Sequence, residues 1–156
     1  MRFVDERITA TPREDLNAMA MLFTWLERQN LDEQILELYS DPVHGRHPIT
    51  AGAYLNAMAK TARWRELMDV LNSDGLRAIP PYQRQLFQAY AIVHTGGDRT
   101  SAESRLRQAL GIAKEKVDNV HVLDIAKFSM SYGFLGVAED AYRVASHSPR
   151  LAEQGY

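Results

Sequence analysis

The segment that decides the fold is Gly-Phe-Leu-Gly-Val-Ala-Glu-Asp-Ala-Tyr, residues 133–142. A turn glycine is followed two positions later by the apolar Leu135, and a second large residue, Tyr142, comes seven positions after that. A spacing of seven places both large side chains on one face of a helix. The segment therefore predicts a helix that begins directly after a tight turn.

The same arrangement occurs three more times toward the N-terminus. The first large residues after the four turns are separated by 33, 35 and 36 residues: Leu31, Trp64, Arg99 and Leu135. The large residues seven positions later repeat those spacings: Leu38, Leu71, Leu106 and Tyr142. A helix pair that recurs with this period is typical of an α-solenoid, in which each hairpin buries its faces against its neighbours. A compact helical bundle is the alternative, because helical amphipathicity alone fits both folds.

We predict an all-α chain, residues 1–156, that forms a single domain of four helix-turn-helix repeats. The repeats are expected at about residues 12–41, 48–75, 80–115 and 118–148. In the segment 11–14, Thr-Pro-Arg-Glu, the hydroxyl, proline and carboxylate have the order of a helix N-terminus, so the first helix is expected to begin there. The loop at residues 40–48 contains two prolines and a glycine, which end the first hairpin.

The fourth unit resembles a tetratricopeptide repeat. It matches that family's turn glycine, small, aromatic, small and terminal proline positions, with the proline one residue early: Gly133, Ala138, Tyr142, Ala145 and Pro149. The third unit resembles the repeat through Gly97, Ala102 and Ala109, while the second keeps the spacing with other residues in place of the usual ones: Ala62, Trp64, Leu67 and Leu71. In the first unit the two helices fit best with different turn residues, Asn30 and Gln29, which predicts a turn one residue short. The resemblance covers about residues 13–149 and implies a right-handed superhelix that acts as a protein-interaction scaffold.

The resemblance also implies a concave groove lined by the first helix of each hairpin. The groove positions of units two to four combine basic, amide and apolar side chains: Asn56, Lys60, Arg84, Phe87, Gln88, His94, Leu123, Lys127 and Met130. The basic members suit carboxylates, and the amides suit a peptide backbone. We therefore predict a peptide or partner domain with an acidic segment as the ligand. The alternative is that these are ordinary solvated helix residues.

The segment 56–67, Asn-Ala-Met-Ala-Lys-Thr-Ala-Arg-Trp-Arg-Glu-Leu, also resembles the pentatricopeptide repeats, which bind single-stranded RNA with one base per repeat. That resemblance implies base-reading positions at Ala53, Gln88 and Asp124, and at Met21 or Ala20. Alanine and methionine side chains cannot specify a base by hydrogen bonding. The net charge of −2 also lacks the basic footprint of a nucleic-acid-binding protein. RNA binding is therefore the less favoured alternative.

The composition and motifs exclude several kinds of active site. Cysteine is absent, which rules out disulfides, thiolate zinc sites and a cysteine nucleophile. Asp41, His44 and His47 have the side chains of a metal site, but the prolines and glycine of their loop oppose the helix that would place both imidazoles on one face. Neither a glycine-rich phosphate loop nor a G-x-S-x-G elbow occurs. We expect no enzymatic activity, no metal and no cofactor.

The two ends of the chain carry further expectations. No apolar run approaches the roughly 20 residues that cross a bilayer, and the N-terminus lacks the apolar core of a secretory signal, so we expect a cytoplasmic protein. Beyond Ser148-Pro149, residues 151–156 are too few for a packed helix. The apolar face of Ala138 to Ala145 is therefore expected to be uncovered. This predicts a fragment of a longer array, a structural oligomerisation segment of a larger protein, or a dimer through this end.

Overall fold

The computed structural model describes residues 2–39, 47–73 and 76–147. These residues form α-helices joined by short turns, and no strand occurs among them. The helices in chain order are α1 (Arg2–Ala10), α2 (Leu16–Arg28), α3 (Asp32–Leu38), α4 (Pro48–Lys60), α5 (Trp64–Asn72), α6 (Pro81–His94), α7 (Arg99–Glu115), α8 (Asn119–Ser131) and α9 (Leu135–Ser146). The prediction of an all-α fold is confirmed. The chain divides into a first unit, residues 1–80, and a second unit, residues 81–156.

Five of the turns between helices share one backbone structure. One residue in each turn has a left-handed conformation, with φ between 53° and 77°: Asn30, Ala62, Gly96, Val117 and Gly133. The following residue donates its N–H to the carbonyl five positions earlier, as Phe134 does to Ser129 at 2.8 Å and Leu31 to Leu26 at 3.0 Å. This is the Schellman motif, which satisfies carbonyls that the helix end leaves without partners.

The first and third turns differ from the predicted alignment. The residue after Asn30 is the N-cap of α3, as Phe134 is the N-cap of α9, so the first turn is not one residue short. Leu31 is therefore equivalent to Phe134 and not to Leu135. In the third turn Gly96, rather than Gly97, has the positive φ, and the extra residue Asp98 caps α7 by accepting from the amides of Thr100 and Ser101.

The predicted start of the first helix is wrong. Residues 2–10 already form α1, and the next helix begins at Leu16, where Asp15 accepts hydrogen bonds from the amides of Asn17 and Ala18 at 3.1 and 3.0 Å. The Thr11 hydroxyl instead donates to the carbonyl of Arg7, one turn back. The Asp15 carboxylate is a better helix cap than the Thr11 hydroxyl, because it satisfies two backbone amides that have no partner within the helix.

In the first unit, α4 contacts α2, α3 and α5. The buried core of α2, α3 and α4 consists of Met19, Leu22, Phe23, Leu26, Ile35, Ala53 and Ala57, and Val4 and Ile8 of α1 pack against it. Tyr39, the C-cap residue of α3, stacks on Tyr54 of α4 with ring centroids 3.8 Å apart. Arg63, at the start of α5, donates to Glu33 of α3 at 3.0 Å. Apolar packing and polar contacts thus join the second helix pair to the first.

In the second unit, α7 contacts α6, α8 and α9. Arg107 of α7 donates to Asp140 of α9 at 2.9 Å, and Arg99 donates to the carbonyl of Tyr132 with its guanidinium 4.1 Å from the centre of the Phe134 ring. The expectation that the alanine face of α9 is uncovered is wrong. Ala138, Ala141 and Ala145 are buried, because α9 turns this face toward α7 and α8.

Candidate functional site

Two of the predicted groove residues lie in the first unit, and both contact neighbouring helices. The Asn56 amide donates to a carboxylate oxygen of Glu27 on α2 at 2.8 Å. The Lys60 ammonium lies 3.6 Å from a carboxylate oxygen of Asp32 on α3. Both polar groups of α4 therefore hold helices of the first unit together. A ligand would have to compete with Glu27 and Asp32 for them.

The predicted groove residues of the second unit differ strongly in exposure. Phe87 and Gln88 of α6 are only 6% and 7% exposed, so little of either side chain is accessible to a ligand. His94 is exposed, and its Nε2 lies 2.9 Å from the Tyr132 hydroxyl. Arg84 and Leu123 are intermediate in exposure, whereas Lys127 and Met130 of α8 are exposed. The exposed members of the predicted set are therefore Lys60, His94, Lys127 and Met130.

An aromatic cluster joins α6 to α8 in the second unit. The Tyr90 ring lies 4.1 Å from Phe128 and 6.1 Å from Tyr132, centroid to centroid, and Phe87 and His94 contact it along α6. Burial raises the pKa of Tyr90 above its ordinary value, and the neighbouring Tyr132 and Asp124 raise it further. Tyr90 therefore packs between α6 and α8. Tyr142, by contrast, is exposed on α9.

The first unit contains a groove that the sequence did not predict. It encloses about 430 Å³ between α1, α2 and the start of α4 and is open to solvent. Its lining residues are Arg7, Asn17, Ala20, Met21, Thr24, Trp25, Arg28, His47 and Ile49. We call it the first-unit groove. Its described lining residues combine apolar, aromatic and cationic side chains and include no carboxylate.

The helical repeat positions the α2 side of this groove. Asn17, Met21, Thr24 and Arg28 follow one another at steps of three and four residues, so they form a stripe on one face of α2. That stripe lies beside the buried face formed by Met19, Leu22, Phe23 and Leu26. Core packing of one face of α2 therefore presents the other toward the groove.

Trp25 of α2 contacts two residues of α1. The guanidinium carbon of Arg7 is 4.4 Å from the centre of the Trp25 ring, a cation–π geometry. Phe3 meets the same ring edge-on at 6.0 Å. On the opposite element, the His47 Nδ1 accepts from the amide of Ile49 at 3.1 Å and caps α4, which leaves Nε2 to carry the proton of the neutral ring.

The predicted metal-type residues are only partly described. Asp41 and His44 lie outside the described residues, and His47 acts as a helix cap. Within the described ranges, no group of three or more His, Asp or Glu side chains is arranged to hold a metal ion. Asp118 contacts both the backbone amide and the Nδ1 of His121, and the His121 ring lies 3.9 Å from that of Tyr82.

None of the described helices combines the length and apolarity needed to cross a membrane.

Sequence reasoning missed the first-unit groove because one of its walls is α1. Arg7 and Trp25 are 18 positions apart, and no repeat position relates them. The available signal was the pair of apolar residues Val4 and Ile8, whose spacing of four predicts an apolar helix face before Thr11.

No protein-family model, curated protein or solved structure matches this chain. The tetratricopeptide resemblance therefore depends on the repeat pattern alone.

Proposed function

We propose that this chain is a protein-interaction scaffold, a tetratricopeptide-like superhelix of four helix hairpins that binds a peptide or partner domain. The hairpins are α2–α3, α4–α5, α6–α7 and α8–α9. The recurring Schellman turns support this proposal, as do the contacts of α4 with both helices of the preceding hairpin and of α7 with both helices of the following one. Neighbour-to-neighbour packing of this kind is the basis of a helical-repeat array.

The observation that carries the functional proposal is the first-unit groove. It lies mainly on α2 and the start of α4, which are the first helices of their hairpins and were predicted to line the binding face. Met21 is 74% exposed there and shares the lining with Arg28, and a surface that combines exposed apolar side chains with arginine is typical of a protein-binding site. The polar side chains of the lining can hold an extended ligand by hydrogen bonds.

The test is a pull-down from nuclease-treated and untreated cell extract with four forms of the chain. These are the wild type, Arg28→Glu on α2, Lys127→Glu on α8, and the matched control Arg65→Glu on α5, a second helix. All three substituted side chains are exposed, and the charge change is the same for Arg28 and Arg65. Circular dichroism establishes that each variant keeps the helical content of the wild type.

We expect the wild type and Arg65→Glu to retain the same proteins, and at least one of the two first-helix variants to lose them. Retention by every variant would contradict binding on the face of the first helices. Loss of the captured proteins after nuclease treatment would favour the pentatricopeptide-like alternative, since the capture would then depend on RNA.

A further inference from the structure

We propose that the first-unit groove binds a peptide segment in which an acidic side chain lies next to aliphatic or aromatic ones. This inference rests on the proposed scaffold function and names the ligand chemistry and the residues that recognise it. Arg28 and Arg7 bind the acidic side chain, and Met21, Trp25 and Ile49 contact its apolar neighbours.

The charges of the groove select an anion. Arg7 and Arg28 contribute two guanidinium groups to the groove, the described lining residues include no carboxylate, and the structure shows no ion pair from Arg28 to another described residue. The Arg7 guanidinium lies over the Trp25 ring, and this cation–π contact favours its position in the groove before a ligand arrives. A guanidinium fork binds a carboxylate through two parallel hydrogen bonds, so a glutamate or aspartate side chain fits these groups directly.

The apolar part of the groove selects a neighbouring hydrophobic side chain. Met21 and Ile49 are exposed on facing elements, and exposed Phe3 extends the surface along the edge of Trp25. Methionine adapts its shape to different ligands, while tryptophan supplies a rigid contact. A purely polar acidic peptide would leave this surface in water and gain only the charge contacts.

The surrounding charges favour a peptide over a nucleic acid. Residues 2–28 contain five carboxylates and four guanidinium groups, with Asp5 and Glu6 on α1 next to Arg7. A phosphate backbone gains affinity by releasing counterions along a row of cations, and two arginines beside these carboxylates do not form such a row. A short peptide needs only one carboxylate at the two arginines.

The experiment selects peptides from a displayed library of random 12-residue sequences on the wild-type chain and on Arg65→Glu, the matched control. Selected peptides are then synthesised with a fluorescent label, and their dissociation constants are measured for wild type, Arg65→Glu and Arg28→Glu. The acidic residue of each peptide is also replaced by lysine, which gives a charge-swapped partner for Arg28→Glu. The labelled oligonucleotide (U)12 is titrated in parallel at two salt concentrations.

We expect the selected peptides to combine acidic and aliphatic or aromatic residues and to lose about 10-fold in affinity for Arg28→Glu but not for Arg65→Glu. The lysine-substituted peptide should recover affinity for Arg28→Glu, which a merely damaged fold could not produce. Trp25 provides an independent reading: in Trp64→Phe it is the one remaining tryptophan, and its fluorescence should change on binding.

Other outcomes separate this inference from the scaffold proposal. If selected peptides bind Arg28→Glu and wild type equally and leave Trp25 fluorescence unchanged, the groove assignment is overturned while peptide binding stands. If no peptide is enriched, the inference is overturned, and the pull-down decides the scaffold proposal by itself. Salt-dependent binding of (U)12 with a change in Trp25 fluorescence would overturn the peptide assignment in favour of nucleic acid.

Discussion

Val117 has a backbone conformation that a β-branched residue rarely adopts. Its φ is 53°, and its side chain is 76% exposed in the turn between α7 and α8, so no packing offsets the strain. Left-handed backbone costs an ordinary residue roughly 1–2 kcal/mol, whereas glycine adopts it freely at a smaller cost in chain entropy. We expect Val117→Gly to raise the free energy of unfolding by about 1 kcal/mol, as measured by urea denaturation.

The matched control for Val117→Gly is Gly133→Ala at the equivalent turn before α9. Gly133 has a φ of 77°, and an added Cβ would lie 3.2 Å from the Arg99 guanidinium. This change should lower the free energy of unfolding by about 1 kcal/mol, because alanine is strained there. A loss of stability in Val117→Gly would show that the valine makes a stabilising contact in this turn.

Ser129 places a hydroxyl in the core of the second unit. Its side chain is 0% exposed, and its Oγ has no hydrogen-bond partner among the described residues. A buried hydroxyl without a partner carries a desolvation penalty of about 1–3 kcal/mol, which alanine removes at little cost in volume. We expect Ser129→Ala to increase the denaturant midpoint. Ser131→Ala on the same helix, an exposed site, should change the midpoint little, and a decrease for Ser129→Ala would indicate a hydrogen bond at this hydroxyl.

At the scale of elements, Tyr82 links the start of α6 to the start of α8. Its ring contacts His121, and burial, with smaller effects from Asp118 and Asp124, raises the pKa of Tyr82 to about 12. The unfolded chain ionises this phenol near pH 10, so Tyr82 stabilises the fold fully below pH 10 and loses that contribution as the pH rises toward 12.

The variant Tyr82→Phe tests this contact between α6 and α8. Wild type should lose thermal stability more steeply than the variant between pH 9.5 and 11.5, because only wild type has the Tyr82 phenol to ionise. The Tm of both proteins at pH 7 isolates the effect of the lost hydroxyl on packing. Parallel Tm curves across the alkaline range would contradict the raised pKa of Tyr82.

Helix periodicity also explains which elements were predictable. The starts of α5 and α9 follow from the turn residues Ala62 and Gly133 before large side chains, and α6 begins one residue after the predicted start of the third repeat at about residue 80. The α1 helix was missed because nearly half of its nine residues are charged and none is buried. Its apolar residues, Val4 and Ile8, matter only because α2 and its neighbours offer a surface for them.

At the scale of the whole molecule, the chain contains two compact units, and each has a buried apolar cluster of its own residues. The second unit has a continuous buried cluster across α6, α7, α8 and α9, which is enough apolar surface for a small domain to fold by itself. We expect a fragment of residues 81–156 to keep its helical circular dichroism and to melt cooperatively. The same fragment with Leu106→Asp in the core should not, and a non-cooperative melt of the unsubstituted fragment would show that the second unit depends on residues 1–80.

Self-association through the C-terminal end remains a prediction, but different residues of α9 now support it. The alanine face of α9 is buried within the second unit, but Leu135 and Tyr142 are exposed on this helix, two turns apart. These are the residues whose spacing first suggested the repeat. Their spacing of seven indicated correctly that both lie on one face of a helix. The sequence did not show that this face, and not the alanine face, is the exposed one.

The sequence by itself determined the all-α fold and the approximate positions of the four helix pairs, but not the exact alignment of the first and third turns. These features depend on local chemistry: apolar periodicity, cap side chains, and the left-handed backbone that Gly96 and Gly133 allow. Only the tertiary structure decided which polar groups meet. Lys60 and Asn56 were expected to be available to a ligand, but packing of α4 against α2 and α3 brings them to Asp32 and Glu27. Packing of Val4 and Ile8 of α1 against the core of the first unit likewise brings Arg7 over Trp25, because distances between helices are fixed by their buried faces and not by any local pattern.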